Sequence, residues 1–369
     1  LIYICISLEQ RTMNATNILQ IRLYNQLLTG ANLTRPAEIV SWLGAMQSQN
    51  YEMAKWGIGV RLPNVTNQQI EEAFNAGEIL RTHVMRPTWH FVTPEDIHWM
   101  LELTFPRIKS AYDGYMRVRG VEEKVVRKGL DMILLILEEH GHLTRRQLVE
   151  HLITGGLELT DSRDLNYVII RSEIEGLICS GKAAGNKHTY ALLHHRAPKK
   201  LSLHKEEMLE KLARKYFSSH GPATVDDYMW WSGLTKTDAK KGIELIKHNF
   251  ICEIINGKTY WMPNNIQTPI ENIARLLPAF DEFVVSYKDR EEIIDEIYYR
   301  KVLTINGIFS PTIHYNGKAV GSWKRVNKKK EVVAELSFFE TTPKKIQERF
   351  SKQLKMYERF NANGISAGI

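Results

Sequence analysis

Leu43-Gly44-Ala45-Met46-Gln47-Ser48-Gln49 and, further along, Arg81-Thr82-His83-Val84-Met85-Arg86-Pro87-Thr88-Trp89-His90-Phe91-Val92 carry the most structural information in the chain. In the first, Ile39, Leu43 and Met46 recur at i, i+4 and i+7 from Pro36 onward, the spacing of one buried helix face. Gln47 lies four residues past Leu43 and is expected on nearly the same face. A regular helix turns residues i and i+2 about 200° apart, so Gln47 and Gln49 share a target only if the helix ends near Ser48. Asn50-Tyr51 and a new register support an ending there. The plain alternative is a helix terminus capped by two amides, since a buried amide needs partners for donor and acceptor alike.

The second stretch reads as a β-ribbon. His83 and Met85 share one side, Val84 and Arg86 the other. Pro87 cannot donate to a ladder and marks a tip, an edge or a bulge. Beyond it Thr88 and His90 point one way, Trp89 and Phe91 the other. Trp89 and Phe91 are most simply core residues, and His90 a satisfied core imidazole. Arg86, beside the proline, suits a phosphate contact. The two stretches are expected to form facing walls of one site.

Around them the element order repeats. Ile21, Tyr24 and Leu28 are expected on one helix face, with Gly30 as its stop. Thr34 opens the next helix, with Pro36 in its first turn, and a third runs from Gln69 to Asn75. Helix, helix, helix, ribbon is the order of a winged helix-turn-helix unit. It recurs from Gly141-His142-Leu143-Thr144-Arg145-Arg146, through a helix from Leu165 to Gly176, to a hairpin turning at Gly185-Asn186-Lys187. It recurs again from Gly221-Pro222-Ala223-Thr224, through Lys236 to His248, to a hairpin turning at Asn256-Gly257-Lys258. Such repetition argues for tandem units. The last third reads as short strands over residues 279–287, 301–309, 312–315, 318–324 and 332–339, with Asn306-Gly307 and Asn316-Gly317 as turns. A helix from Pro343 to Phe360 closes the chain, and Arg325-Val326-Asn327-Lys328-Lys329-Lys330 forms a basic tip.

The expected fold class is therefore α+β: three tandem winged helix-turn-helix domains (13–115, 116–200 and 201–265) and a C-terminal β-rich, barrel-like domain (266–369). The 369 residues, 43% of them hydrophobic, suffice for several small cores, and a net charge of +7 fits a polyanionic partner. Cys5, Cys179 and Cys252 show neither zinc spacing nor a disulfide framework, which favours a reducing compartment. Nothing reads as a membrane span or signal peptide. Met13 reads as the start, with residues 1–12 as upstream sequence or a cloning scar.

Met46-Gln47-Ser48-Gln49, Leu80-Arg81-Thr82-His83 and Met85-Arg86-Pro87-Thr88-Trp89-His90-Phe91-Val92 together resemble the AlkZ-like (YcaQ-type) winged-helix DNA glycosylase family. Leu276-Leu277-Pro278-Ala279-Phe280-Asp281 with Asp289-Arg290, and Val320-Gly321-Ser322-Trp323-Lys324-Arg325, fit the same resemblance, which spans roughly Met13 to Phe360. The family's signature is glutamine, any residue, then glutamine or aspartate; Gln47 and Gln49 match the Gln-x-Gln branch.

The resemblance implies a monofunctional glycosylase hydrolysing the N-glycosidic bond of purines alkylated at N7 or N3, bulky adducts and interstrand crosslinks included. It assigns Gln47 and Gln49 to positioning the attacking water. It makes His83, Arg86, Thr88 and His90 DNA-binding candidates, with Arg145, Arg146, Lys324, Arg325, Lys328, Lys329 and Lys330 on the backbone. The expected partner is double-stranded DNA bearing alkylated bases, met by a cytoplasmic, nucleoid-associated monomer. No cofactor, metal or membrane is implied. The rival readings are a non-catalytic DNA-binding regulator and a protein-interaction module.

Overall fold

The computed structural model describes residues 15–30, 32–199, 202–264, 271–328 and 331–362. The reading of residues 1–12, the start at Met13 and Cys5 lie outside them. The chain forms two compact units, one of Leu1–Glu71 with Leu209–Ile369, the other of Glu72–Met208. The segment 13–115 thus gives its first part to one unit and its ribbon to the other.

In the first unit, α1 (Ala15–Asn25) buries Ile18, Leu19, Ile21 and Leu23. Tyr24, expected on that face, is exposed, because the buried stripe includes Arg22 instead. The helix ends at Asn25, and Leu27 already takes a left-handed φ of 59°, ahead of Gly30. Next comes α2 (Pro36–Leu43), whose N-cap is Arg35 rather than Thr34; the Glu38 carboxylate accepts from both backbone amides, at 2.9 and 3.0 Å. β1 (Met46–Gln47), α3 (Tyr51–Gly59) and α4 (Asn67–Ala76) follow.

The second unit takes up the chain within α4, at Glu72, and continues into the hairpin β2 (Leu80–Val84) and β3 (Thr88–Val92), turning at Met85-Arg86-Pro87. After α5 (Pro94–Val118) come α6 (Glu123–His140), β4 (Leu143–Thr144), α7 (Arg145–Thr154), α8 (Ser162–Ile174), β5 (Ile178–Ser180), β6 (Thr189–Leu192) and α9 (Leu193–Arg196). The apolar face of α6, with Ile133 and Leu137, packs on Leu165, Val168 and Ile169 of α8 in one core. The three strands lie in the order β4-β6-β5. Thr144 caps α7 reciprocally: its hydroxyl accepts from Gln147 N, and the Gln147 carbonyl accepts from Thr144 N.

The chain then returns to the first unit with α10 (Lys205–His220), α11 (Val225–Ser232), α12 (Lys236–Ile246), β7 (Phe250–Ile255) and β8 (Lys258–Pro263). Here too a threonine, Thr224, caps the second helix reciprocally, with Asp227. A bridge between Ala223 and Trp261 stands where the preceding repeat has its first strand. Asn256 and Gly257, both at positive φ, make the hairpin turn.

β9 (Ala274–Leu277), α13 (Glu282–Val285), α14 (Tyr299–Val302), β10 (Thr312–Tyr315), β11 (Lys318–Lys328), β12 (Glu331–Phe338) and α15 (Lys344–Asn361) complete the unit. The four strands form one antiparallel sheet in the order β12-β11-β10-β9, a curled half-barrel. Tyr357 of α15 packs edge-on against Trp56 and Trp323, at 4.9 and 5.0 Å between ring centroids. Two expected strands are absent. Residues 279–287 turn into α13 because the Asp281 carboxylate caps it, accepting from Phe283 N at 2.9 Å. In 301–309 only Leu303 and Phe309 bridge; Ile305 and Ile308 are exposed, so the run has no face to bury.

Candidate functional site

Gln47 and Gln49 do not stand on a helix. α2 stops at Leu43, and Gly44 follows at φ 80°, a left-handed φ that favours glycine. The chain leaves this turn extended. Met46 and Ser48 are buried, Gln47 is half-buried and Gln49 exposed. The strand ends at Gln47, Gln49 lies in the bend that follows, and neither glutamine is buried. The helix thus ends before both glutamines, at Leu43 rather than near Ser48. Asn50 then caps α3, accepting from Met53 N.

Beneath Gln47 lies a buried carboxylate. The Gln47 backbone amide donates to Glu282 Oε1 at 2.6 Å, and Trp231 Nε1 donates to Oε2 at 3.1 Å. Ser286 Oγ donates to the same oxygen, and His220 Nε2 lies 3.7 Å away. Burial alone lifts the Glu282 carboxyl, but the His220 imidazole beside it and the hydrogen bonds from Ser286 and the Gln47 amide outweigh it and hold the pKa at about 2. Burial, with the nearby Arg61 charge, pulls His220 down, so at neutral pH a neutral ring faces the carboxylate.

Next to it Asp281 pairs with Arg61 through both oxygens, at 2.8 and 2.9 Å, both side chains fully enclosed. Arg61 also donates to Gln26 O and Gly57 O. Trp56 and Trp323 donate to the carbonyls of Leu276 and Leu277. The motif Leu276–Asp281 and the tryptophan of Gly321-Ser322-Trp323 are therefore the frame under Gln47. Sequence reasoning missed Glu282, His220 and Arg61. A signal existed: Asp281-Glu282 interrupts an apolar run, and acids there must be paired.

The ribbon of the second unit has its own buried acid. His83 Nδ1 lies 2.7 Å from Glu173 Oε2, with the two side chains 6% and 0% exposed. The His83 ring lies 4.2 Å from that of Trp89, and Arg81 stacks over the same indole. His90 is wholly buried, its Nδ1 2.9 Å from Thr88 O. Phe91 is core, as expected, and Trp89 is half-buried. Arg86 and Thr88 are half-buried beside the exposed Pro87. Of the remaining candidates, Arg145 donates to Ser162 O and Asn166 Oδ1, and Arg146 pairs with Glu150. Lys324 is exposed. Arg325 is no tip residue: β11 continues to Lys328, and Arg325 pairs with Glu52 at 3.3 Å. Lys328 lies 3.8 Å from Glu331, while Lys329 and Lys330 fall outside the described residues.

The two buried acids predict opposite pH behaviour. The folded pKa of Glu282 lies below its ordinary 4.5, so its stabilisation is complete above that value and is lost as pH falls through about 2. Burial raises the Glu173 pKa against the pull of His83 and Arg81, so its contribution is complete below 4.5 and is lost as pH rises through the raised value. In thermal melts across pH, Glu282→Gln narrows its deficit against wild type as the solution turns acid. Glu173→Gln gains on wild type as pH rises. Parallel curves for all three proteins contradict these assignments.

Glu138, His194 and His195 form a group with metal-ligand spacing in the second unit, their ligand atoms within 4.8 Å and all three residues exposed. An open cleft of about 1390 Å³ in the first unit is lined by Asp227, Lys258 and Arg290 among others, and neither glutamine borders it. No helix among the described residues is long and apolar enough to cross a membrane.

The model of the family described as DNA glycosylase AlkZ-like matches residues 40–360. Among solved structures, the Streptomyces sahachiroi DNA glycosylase AlkZ superposes with a TM-score of 0.74 at 21% identity, covering 96% of this chain and 98% of that one. No curated protein matches.

Proposed function

This chain belongs to the AlkZ-like DNA glycosylase family, and from that membership we propose that it is a monofunctional glycosylase releasing purines alkylated at N7 or N3 from duplex DNA, bulky adducts and crosslinked bases included. The observation that carries the reading is the pair Gln47, half-buried on the short strand, and Gln49, exposed in the bend after it, with the Gln47 backbone fixed by a buried carboxylate.

The chemistry suits amides. Alkylation at N7 or N3 makes the base cationic, hence a good leaving group without strong general-acid help. The enzyme must expose the sugar, at a cost of a few kcal/mol that is least where the lesion already weakens pairing. It must then hold a water near the anomeric carbon while oxocarbenium character develops. Gln47 and Gln49 accept from that water and donate to sugar or phosphate oxygens, without titrating. Glu282 positions the strand that carries Gln47. In the second unit, Arg86 and Thr88 contact phosphate, while His83 and His90, both buried, orient the ribbon. Arg145, Arg146, Lys324 and Lys328 add backbone contacts, and Arg325, Lys329 and Lys330 extend them. We take the repeated helix-helix-hairpin segments as three winged helices, and the protein as a monomer on nucleoid DNA.

The test is product analysis on a duplex alkylated at purine N7. The account expects a free base and an intact strand that breaks only on later alkaline treatment. Borohydride should trap no covalent protein–DNA adduct. Strand cleavage with a trapped adduct rules out monofunctional hydrolysis; duplex binding without base release favours a regulator.

A further inference from the structure

Within the second unit, Tyr112 and Tyr115 of α5, Arg145 of α7, and Arg163, Asn166 and Tyr167 of α8 line a cavity of about 390 Å³. That volume is in the range of small-molecule sites, about 300–1,000 Å³. No carboxylate borders the cavity. Tyr115 is 47% exposed, and the rings of Tyr112 and Tyr167 lie 5.5 Å apart, tilted by 47°.

The arginines differ in their charge balance. Arg163 is paired with Asp161, and Asp164 is held by Arg119. Arg145 donates only to neutral acceptors, Asn166 Oδ1 at 3.3 Å and Ser162 O at 3.1 Å. No carboxylate pairs with it among the described residues, so its guanidinium is held in place with its charge unspent. Aromatic faces beside an unneutralised, oriented cation form the combination that binds unstacked nucleotides: the rings take the base, the cation its phosphate.

We propose that this cavity is a cradle for one unstacked nucleotide of single-stranded DNA, its base against Tyr115 and Tyr112 and its phosphate on Arg145. The proposal rests on the reading that DNA is the substrate, and adds a second place where the chain grips it. A paired duplex presents no free base face to these rings, so the cradle discriminates in favour of an unpaired strand.

The test measures fluorescence anisotropy of a labelled single-stranded oligonucleotide and of the fully paired duplex of the same sequence, with the full chain at fixed salt. Tyr115→Ala should weaken single-strand binding about tenfold, the loss of one stacking platform, and leave duplex binding within about twofold. Tyr115→Phe, which keeps the ring, should bind as wild type does. Arg145→Ala should weaken single-strand binding and flatten its salt dependence by about one phosphate's worth; Lys124→Ala, an equal loss of charge away from the cavity, should do neither. Unchanged single-strand affinity in Tyr115→Ala, or an equal loss on both DNAs, overturns the proposal. Base release from alkylated duplex is read separately: its absence defeats the glycosylase reading and leaves the cradle standing.

Discussion

Replacing Arg61 by methionine destabilises the protein by about 3–5 kcal/mol, the range for stripping one partner from a buried ion pair. Asp281 is wholly enclosed, and this guanidinium binds both its oxygens. The lost donors also strand the carbonyls of Gln26 and Gly57. Chemical denaturation checks the shift. A further Asp281→Leu change should recover only part of it, because Asp281 also caps α13. A single Arg61→Met variant as stable as wild type contradicts the view that this pair braces the segment under Gln47.

Local rules carried much of the fold. The two repeats after Gly141 and Gly221 were legible because each opens on a threonine cap and closes on a hairpin with residues at positive φ. The ribbon's tip at Pro87 was legible for the same reason, since proline removes a donor. Where tertiary packing decides, sequence rules misled. The stripe through Ile39, Leu43 and Met46 predicted a longer helix, yet Met46 is buried as a strand residue after the turn at Gly44. The run 279–287 read as a strand by composition alone, and the Asp281 cap turned it into a helix. The acids behind the site were the least legible part. Glu282 lies 235 residues from Gln47 and Glu173 lies 90 from His83, distances over which periodicity carries no information. Arg325 read as a tip because its partner, Glu52, is equally remote.

Removing either glutamine side chain should slow base release about a hundredfold, the usual scale for a lost group that positions or polarises in the transition state. The substitutions spare the core. Gln47 is anchored through its backbone amide, which alanine keeps, and Gln49 is exposed, so neither change empties a core. In the proposed mechanism the two amides act on one water, so the double variant should be little worse than either single one. Because amides do not titrate, the wild-type rate should be flat across neutral pH, where a general base would impose a slope.

The decisive measurement is single-turnover release of an N7-alkylated purine from duplex DNA by wild type, Gln47→Ala and Gln49→Ala, with duplex affinity measured alongside. The account predicts release slowed about a hundredfold in each variant, with binding unchanged. Release at the wild-type rate by both variants would contradict it.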